Sequence, residues 1–510
     1  MTPRWLAVSF LLLGCSSPAA PDAGSDAFPC TIDRLDAAAV IEVHQAIRGR
    51  RLSRDILGFG SALDGSFDAV GPGDGTIFVD GSTASDGFLQ TFPPVTWVSR
   101  HHPDGRIELI ASGPGGGGAV GVRADEVLQV TADNHLTLTA DAAERRYHLI
   151  LWSLGSLVPS ALADPLGFDD LLCSGAARYS VTMSREGRYL LLRRPCVLGG
   201  PYLVAERWER DGDRLVRAGE SFPVFEPQDA AGAKPRVTTA DGRGGVFWIA
   251  NGREERDRSD RSLVAQHWDG DAAPIVSAPL GPVGTTTDFA LGFMHPSGDY
   301  IALGNHVVEG FSRTHVARVR DDGSFVWTWE SPRGYVSGPN SPGAAIVGDG
   351  DIVVLLHQPA VRDAISVMRL SAMGEPSTPE PTVLVSGISP AGFTANDGGF
   401  VAAGHPDGSF YVLWVEYHGL HLQRFSPAFE PQWASDVAGG QVNLLEAQLF
   451  PDGLGGVWAV WNDRGGAGNV QHWDRSGWAL YRIWQFPGCD RPYDATIVRP
   501  APDAPATIYE

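Results

Sequence analysis

The sequence predicts an all-β fold, a single β-propeller of four-stranded blades, with eight blades favoured and seven as the alternative. Three observations lead there. A large apolar residue closing a strand recurs as Trp208, Trp268, Val319, Leu370, Phe425 and Trp473, spaced by 60, 51, 51, 55 and 48 residues. A glycine turn runs in phase with that series, about 17 to 26 residues ahead of each anchor. The composition of the 510 residues, with 62 Gly, 37 Pro and 15 Trp, suits many short strands joined by tight turns and excludes a helical bundle. Length alone suggests about three domains. A repeat array of this length stands as one, because each unit buries its faces against its neighbours.

Taken in order, the chain opens with Arg4, an apolar run from Trp5 to Leu13, and Leu12-Leu13-Gly14-Cys15. The run is too short for a permanent membrane span and reads as a cleaved export signal over residues 1–14. Leu-Leu-Gly-Cys resembles the lipobox of bacterial lipoproteins. That resemblance implies a diacylglycerol on the Cys15 sulfur and a new amine that is usually acylated, a stable membrane anchor. Ser16 in place of Asp after the lipidated cysteine favours the outer membrane in the Gram-negative sorting pattern. Ser16 to Pro29 is too poor in apolar residues to fold, so 15–30 is a lipidated tether and 31–510 the propeller.

Ala37 to Ile47 reads as a strand or a short helix; periodicity does not separate them. Counting back from Trp208 places earlier anchors at Trp97 and near Leu151, in the run Tyr147 to Trp152. Seven blades result if 119–157 is an insertion. The turns are Arg185-Glu186-Gly187, Ala240-Asp241-Gly242, Pro296-Ser297-Gly298, Gly348-Asp349-Gly350, Pro406-Asp407-Gly408 and Pro451-Asp452-Gly453. Pro pre-sets φ, Asp bonds its own backbone, and Gly accepts positive φ. Each turn feeds an apolar strand: Tyr189 to Leu192, Phe247 to Ala250, Tyr300 to Leu303, Ile352 to Leu356, Phe410 to Val415 and Val457 to Trp461. Continuous apolar runs require burial on both faces. Strand-forming residues at Asp494 to Arg499 and near Val40 are placed to share a terminal blade. Removing Cys15 leaves four cysteines in an oxidising compartment, which allow three pairings; Cys173 with Cys196 and Cys30 with Cys489 are favoured.

The repeat residues Asp452-Gly453-Leu454-Gly455-Gly456-Val457-Trp458 and Asp241-Gly242-Arg243-Gly244-Gly245-Val246-Phe247-Trp248 resemble propeller repeats of large extracytoplasmic bacterial proteins, many of them uncharacterised lipoproteins. His315 to Trp327, with Asp322-Gly323, is similar to a quinoprotein-type propeller repeat. Neither resemblance transfers an active site.

A formal charge of −21 disfavours nucleic-acid partners. The turns at His102-Pro103-Asp104-Gly105, His295-Pro296-Ser297-Gly298 and His405-Pro406-Asp407-Gly408 read as one recurring structural turn. No cluster with zinc-ligand spacing is visible, so no metal site is predicted. One basic residue precedes each anchor: Arg207, His267, Arg318, Arg369, Arg424 and His472. Either this series forms a basic ring that holds an anion in the channel, or each member pairs with a turn carboxylate such as Asp269 or Asp474; the second reading is favoured. The triplets Asp211 to Asp213, Asp269 to Asp271 and Asp349 to Asp351 read as turns, with one weak calcium site left open and no cofactor predicted. No catalytic triad is proposed. Gly115 to Gly118 lacks the Lys-Ser/Thr of a phosphate loop. The expected function is a lipid-anchored binding or assembly module of the cell envelope, with an envelope protein or a polysaccharide as partner. The alternative is a channel-mouth enzyme acting on carbohydrate, lactone or quinone-linked substrates.

Overall fold

The strands form consecutive antiparallel meanders. The computed structural model describes residues 68–70, 75–82, 95–103, 107–114, 116–123, 126–132, 146–153, 159–163, 166–167, 179–183, 188–193, 203–224, 239–241, 245–251, 263–269, 273–280, 286–308, 311–337, 343–358, 364–388, 400–416, 419–439, 442–463, 468–477 and 479–480. Among these there is strand and turn but no helix, and so no helix long and apolar enough to cross a membrane. The segment 1–14, the tether, Ala37 to Ile47, Asp494 to Arg499 and all five cysteines lie outside the described residues.

Six sheets have four strands in simple sequence order, spanning 68–114, 239–276, 286–330, 344–386, 400–439 and 442–480. A nine-stranded sheet covers 116–224. It divides into two four-stranded meanders, 116–163 and 179–224, plus the short strand Leu166–Gly167 laid on Arg146–Ser153. Among the described residues, strand pairing between the two meanders consists of two parallel pairs, Arg214 with Leu162 and Leu215 with Ala163. Numbered along the chain, these units run from the first meander (68–114) to the eighth (442–480). The stretch 119–157 contributes to three of this sheet's strands. It supplies strands of the second meander, whose Leu128, Leu149, Leu151 and Ala161 pack on Tyr189, Trp208 and Leu215 of the third.

Register explains the anchor series. In each case the anchor sits opposite the first apolar residue of the second strand, and all but Trp208, whose strand runs on to Asp211, close the third strand: Tyr189 with Trp208, Val246 with Trp268, Tyr300 with Val319, Ile352 with Leu370, Phe410 with Phe425 and Val457 with Trp473. All six expected apolar runs lie in these second strands. The earlier anchors are shifted. Trp97 pairs with Gly81, and the residue opposite Ile77 is His101. In the second meander Trp152, one residue after Leu151, stands opposite Val127. Four residues is an even step in a strand, so Trp97 shares a face with His101 and counting alone does not separate them.

The period of two divides each second strand between two cores. Tyr300 and Ala302 pack with Phe247 and Ile249 of the fourth meander, while Ile301 and Leu303 pack with Ile352, Val354 and Leu356 of the sixth. Val353 and Leu355 then face Phe410 and Val412 of the seventh. Each such side chain contributes about 1.5–3 kcal/mol on burial. First strands lie beside first strands, as in 344–347 against 400–404 and 400–404 against 442–451. At one such approach a Cβ on Gly404 would sit 1.9 Å from the Ile346 carbonyl oxygen, so only glycine fits.

The last meander packs on the first. Trp458 Nε1 donates to the Gly75 carbonyl at 3.1 Å, and Ile77 shares a core with Trp458, Val460 and Val470. The eighth meander takes its four strands from one contiguous stretch, 442–480, and meets the first by side-chain packing.

Candidate functional site

In the fourth to eighth meanders the turn or strand start ahead of the second strand's apolar run supplies a carboxylate, and the residue before the anchor supplies its partner. Two versions of this clasp exist. In the fourth and eighth meanders the motif Asp-Gly-x-Gly-Gly places the aspartate five residues before the strand. Asp452 Oδ1 accepts from the Gly456 amide at 2.8 Å, and Asp452 Oδ2 meets His472 Nε2 at 2.9 Å. Asp241 repeats this with the Gly245 amide and His267 Nε2, each at 2.9 Å. The second glycine makes room: a Cβ on Gly456 would lie 2.5 Å from Asp452 Oδ2 and 2.4 Å from the Trp473 carbonyl.

In the fifth, sixth and seventh meanders the turn is shorter and the longer arginine spans the gap. Arg318 reaches Asp299 at 2.7 Å, Arg369 reaches Asp351 at 2.9 Å, and Arg424 reaches Asp407 at 3.3 Å and Ser409 Oγ at 3.0 Å. Positive φ at Gly298 (89°), Gly350 (125°), Gly408 (83°) and Gly453 (75°) shows why glycine stands in these turns.

The same cations tie one meander to the next. Arg318 Nη1 donates to the Ala372 carbonyl at 2.7 Å, Arg369 Nη1 to Pro427 at 3.2 Å and Arg424 Nη1 to Arg475 at 2.8 Å; His267 Nδ1 stands 3.1 Å from the Asp321 carbonyl. Each acceptor lies two residues past the anchor of the following meander. The basic series is thus engaged in carboxylate and carbonyl bonds, with Arg207 Nε set 3.3 Å from Glu209 Oε1. The carboxylates differ from those expected. His267 and His472 pair with Asp241 and Asp452, while Asp474 accepts from the Ser476 amide of its own turn. Asp269 and Asp474 follow the anchor, whereas the strand start opposite it brings the earlier turn to the cation. Arg100, next to His101, belongs to the same series and bonds Thr76 Oγ1 at 3.2 Å. Anchoring the count on Trp97 hides it.

The turn at His295 also faces a neighbour. His295 Nε2 donates to the Gly350 carbonyl at 2.9 Å, and its Nδ1 accepts from the Ser297 amide at 3.1 Å. Burial lowers its pKa, which suits this neutral tautomer. Of the acidic triplets, Asp211 to Asp213 turns a hairpin in which Asp211 pairs with Arg214, and Asp351 is taken by Arg369. Gly116 to Gly118 lies within a strand, Gly116–Arg123.

One grouping lies outside every pattern read from the sequence. His306, His315 and Glu330 converge from the second, third and fourth strands of the fifth meander, with ligand atoms all within 4.8 Å of one another. Strand pairing brings them together. His315 stands opposite Glu330, and His306 is opposite Arg313, two residues from His315 on the same face. Both imidazoles are buried, at 2% and 9% exposure. The rings meet edge to face at 5.8 Å. His306 Nε2 lies 3.2 Å from Glu330 Oε1 without hydrogen-bond geometry, while Arg313 Nη1 holds Glu330 Oε2 at 2.8 Å. Burial, with His306 beside it, pushes His315 down to about 4, and burial also lowers His306. Burial thus favours the uncharged form of both imidazoles.

Next to this group lies a buried polar lattice. Thr314 Oγ1 donates to Asn305 Oδ1 at 2.7 Å and accepts the Ser337 amide at 2.6 Å, and Asn305 Nδ2 donates to the Ser337 carbonyl at 3.1 Å. It fixes the connection toward the sixth meander and sets the backbone on which His306 and His315 sit.

No family model matches the chain, and no curated protein matches it. Solved structures do. A puromycin hydrolase mutant complexed with PGG is similar at a TM-score of 0.41 and 18% identity, over 70% of this chain and 52% of the other. The polysaccharide lyase Uly1 is similar at 0.43 and 9%, over 70% and 90%. A puromycin-hydrolyzing peptidase of Mycobacterium tuberculosis is similar at 0.40 and 12%, over 84% and 59%. The chain spans about half the length of the first such structures, 52%, 49% and 52%. What is shown is an all-β, propeller-like architecture of repeated antiparallel sheets.

Proposed function

We propose that this protein is a lipid-anchored, extracytoplasmic propeller of eight four-stranded blades that serves as a binding or assembly module of the cell envelope. The observation that carries this reading is the use of the repeated charged side chains. From the fourth meander onward they join one meander to the next, so the chemistry that recurs is architectural. The two meanders of the nine-stranded sheet count as two blades, because each has its own four strands and, among the described residues, strand pairing links them at two residue pairs. The lipobox Leu12-Leu13-Gly14-Cys15 and the polar tether supply the anchor, with the outer membrane the favoured location. Cys173–Cys196 and Cys30–Cys489 bridges belong to the same proposal. A channel-mouth enzyme needs side chains converging from first strands at the axis, whereas His306, His315 and Glu330 sit on the second to fourth strands.

Cys15→Ser tests the anchor: the variant should leave the detergent phase, and unchanged partitioning overturns it. Cross-linking in solubilised envelopes followed by capture tests the module. An envelope protein or polysaccharide recovered with the native chain supports it; a monomer that recovers neither and turns over a small molecule overturns it.

A further inference from the structure

We propose that His306, His315 and Glu330 bind one divalent transition-metal ion of the zinc class, through one nitrogen of each imidazole and one carboxylate oxygen, leaving a coordination position open. The site is independent of the membrane anchor and of the channel. Its first support is the state of the imidazoles. All four ring nitrogens of His306 and His315 are buried without a hydrogen-bond partner. Burying an unsatisfied polar group is costly, and two adjacent histidines left in that state call for a ligand that both accept. Two nitrogen donors and one carboxylate select a transition metal over calcium or magnesium, which take oxygen ligands.

The second support is the carboxylate. Glu330 divides its oxygens, Oε2 being held by Arg313 at 2.8 Å and Oε1 turned toward His306 at 3.2 Å. This is the arrangement in which an outer partner orients a ligating group. The third is span. Ligand atoms within 4.8 Å of one another need only side-chain rotation to reach the ~3.3 Å separation set by zinc–ligand bonds of ~2.0–2.1 Å in a tetrahedron. The strands that carry them are paired in register, so the backbone is already in place.

The test uses the full-length protein after dialysis against chelator. Calorimetric titration with Zn2+ should show one site, Co2+ should give the visible absorption of a tetrahedral nitrogen–oxygen site, and Zn2+ but not Ca2+ should raise the melting temperature. His315→Phe and Glu330→Gln should each weaken Zn2+ binding more than ~100-fold, beyond the usual effect of an outer-shell change. Should His315→Phe fail to unfold cooperatively, Glu330→Gln carries the comparison, because Glu330 is 34% exposed. A native chain that binds no Zn2+ overturns the proposal, as does Zn2+ binding that is unchanged in the folded variants.

Discussion

At the scale of single residues, Gly456 is constrained by what lies beside it. Its amide holds Asp452 Oδ1 while the Cβ it lacks would overlap Asp452 Oδ2. Gly456→Ala should therefore destabilise the protein by about 1–3 kcal/mol, the usual range for overpacking, as measured by chemical denaturation. Asp452 itself titrates low. Burial works to raise its pKa, but the bonds from His472 and from the Leu454 and Gly456 amides outweigh it and hold the carboxyl below its ordinary 3.8. A depressed folded pKa gives stability that is complete above the unfolded value and lost as pH falls through the folded one. Denaturation across acid pH should show Asp452→Asn less stable than the native chain at neutral pH, with the difference closing below about pH 4. Phe429 shows the opposite economy. It takes φ of 67° at the turn position filled by Gly323, Gly374 and Gly477 in other meanders, and packs edge-on against Phe410 at 6.0 Å.

At the scale of elements, the clasps should differ in strength with exposure. Arg424 is 5% exposed and bonds Asp407, Ser409 and the Arg475 carbonyl, so Arg424→Ala should cost roughly 2–3 kcal/mol, less than a fully buried pair because Asp407 is 38% exposed. Arg369 and Asp351 are 23% and 34% exposed, and Arg369→Ala should cost no more than about 1 kcal/mol. Equal losses in urea titrations would contradict this ranking. The repeats were legible in the sequence because both faces of each second strand are buried, which leaves long apolar runs, and because the turns need glycine. The clasps were legible only in part. His472 was visible, but its carboxylate lies twenty positions earlier at Asp452 and emerges only once Val457 is set opposite Trp473. The His306–His315–Glu330 group was hidden for the same reason. The register that pairs Val308 with Phe311 would by itself have set His306 and His315 on one face. Glu330 needs a second register, through His315, that no local motif records.

At the scale of the whole molecule, the first and last meanders depend on each other through Trp458. Trp458→Phe keeps an aromatic ring against Ile77 but removes the bond to Gly75, and should cost about 1 kcal/mol; Trp458→Ala empties the seam and should cost about 3–5 kcal/mol. Thermal unfolding followed by tryptophan fluorescence and by circular dichroism would compare them. From the fifth meander to the eighth, one set of inter-meander bonds shares a direction. Arg318 and Trp327 reach forward to Ala372, Arg369 to Pro427, Arg424 and Trp433 to Arg475, and Trp458 to Gly75, each from a side chain to a backbone oxygen of the next meander. During synthesis Arg318, Arg369 and Arg424 leave the ribosome before their acceptors exist, whereas Gly75 precedes Trp458. A nascent chain stopped after the seventh meander holds Arg424 beside Asp407 with its outward N–H still unmet, whereas a chain lacking only the first meander would leave the bonds from Arg318, Arg369 and Arg424 intact. Loss of the eighth meander thus leaves both Arg424 and Trp433 without this acceptor, against Trp458 on loss of the first.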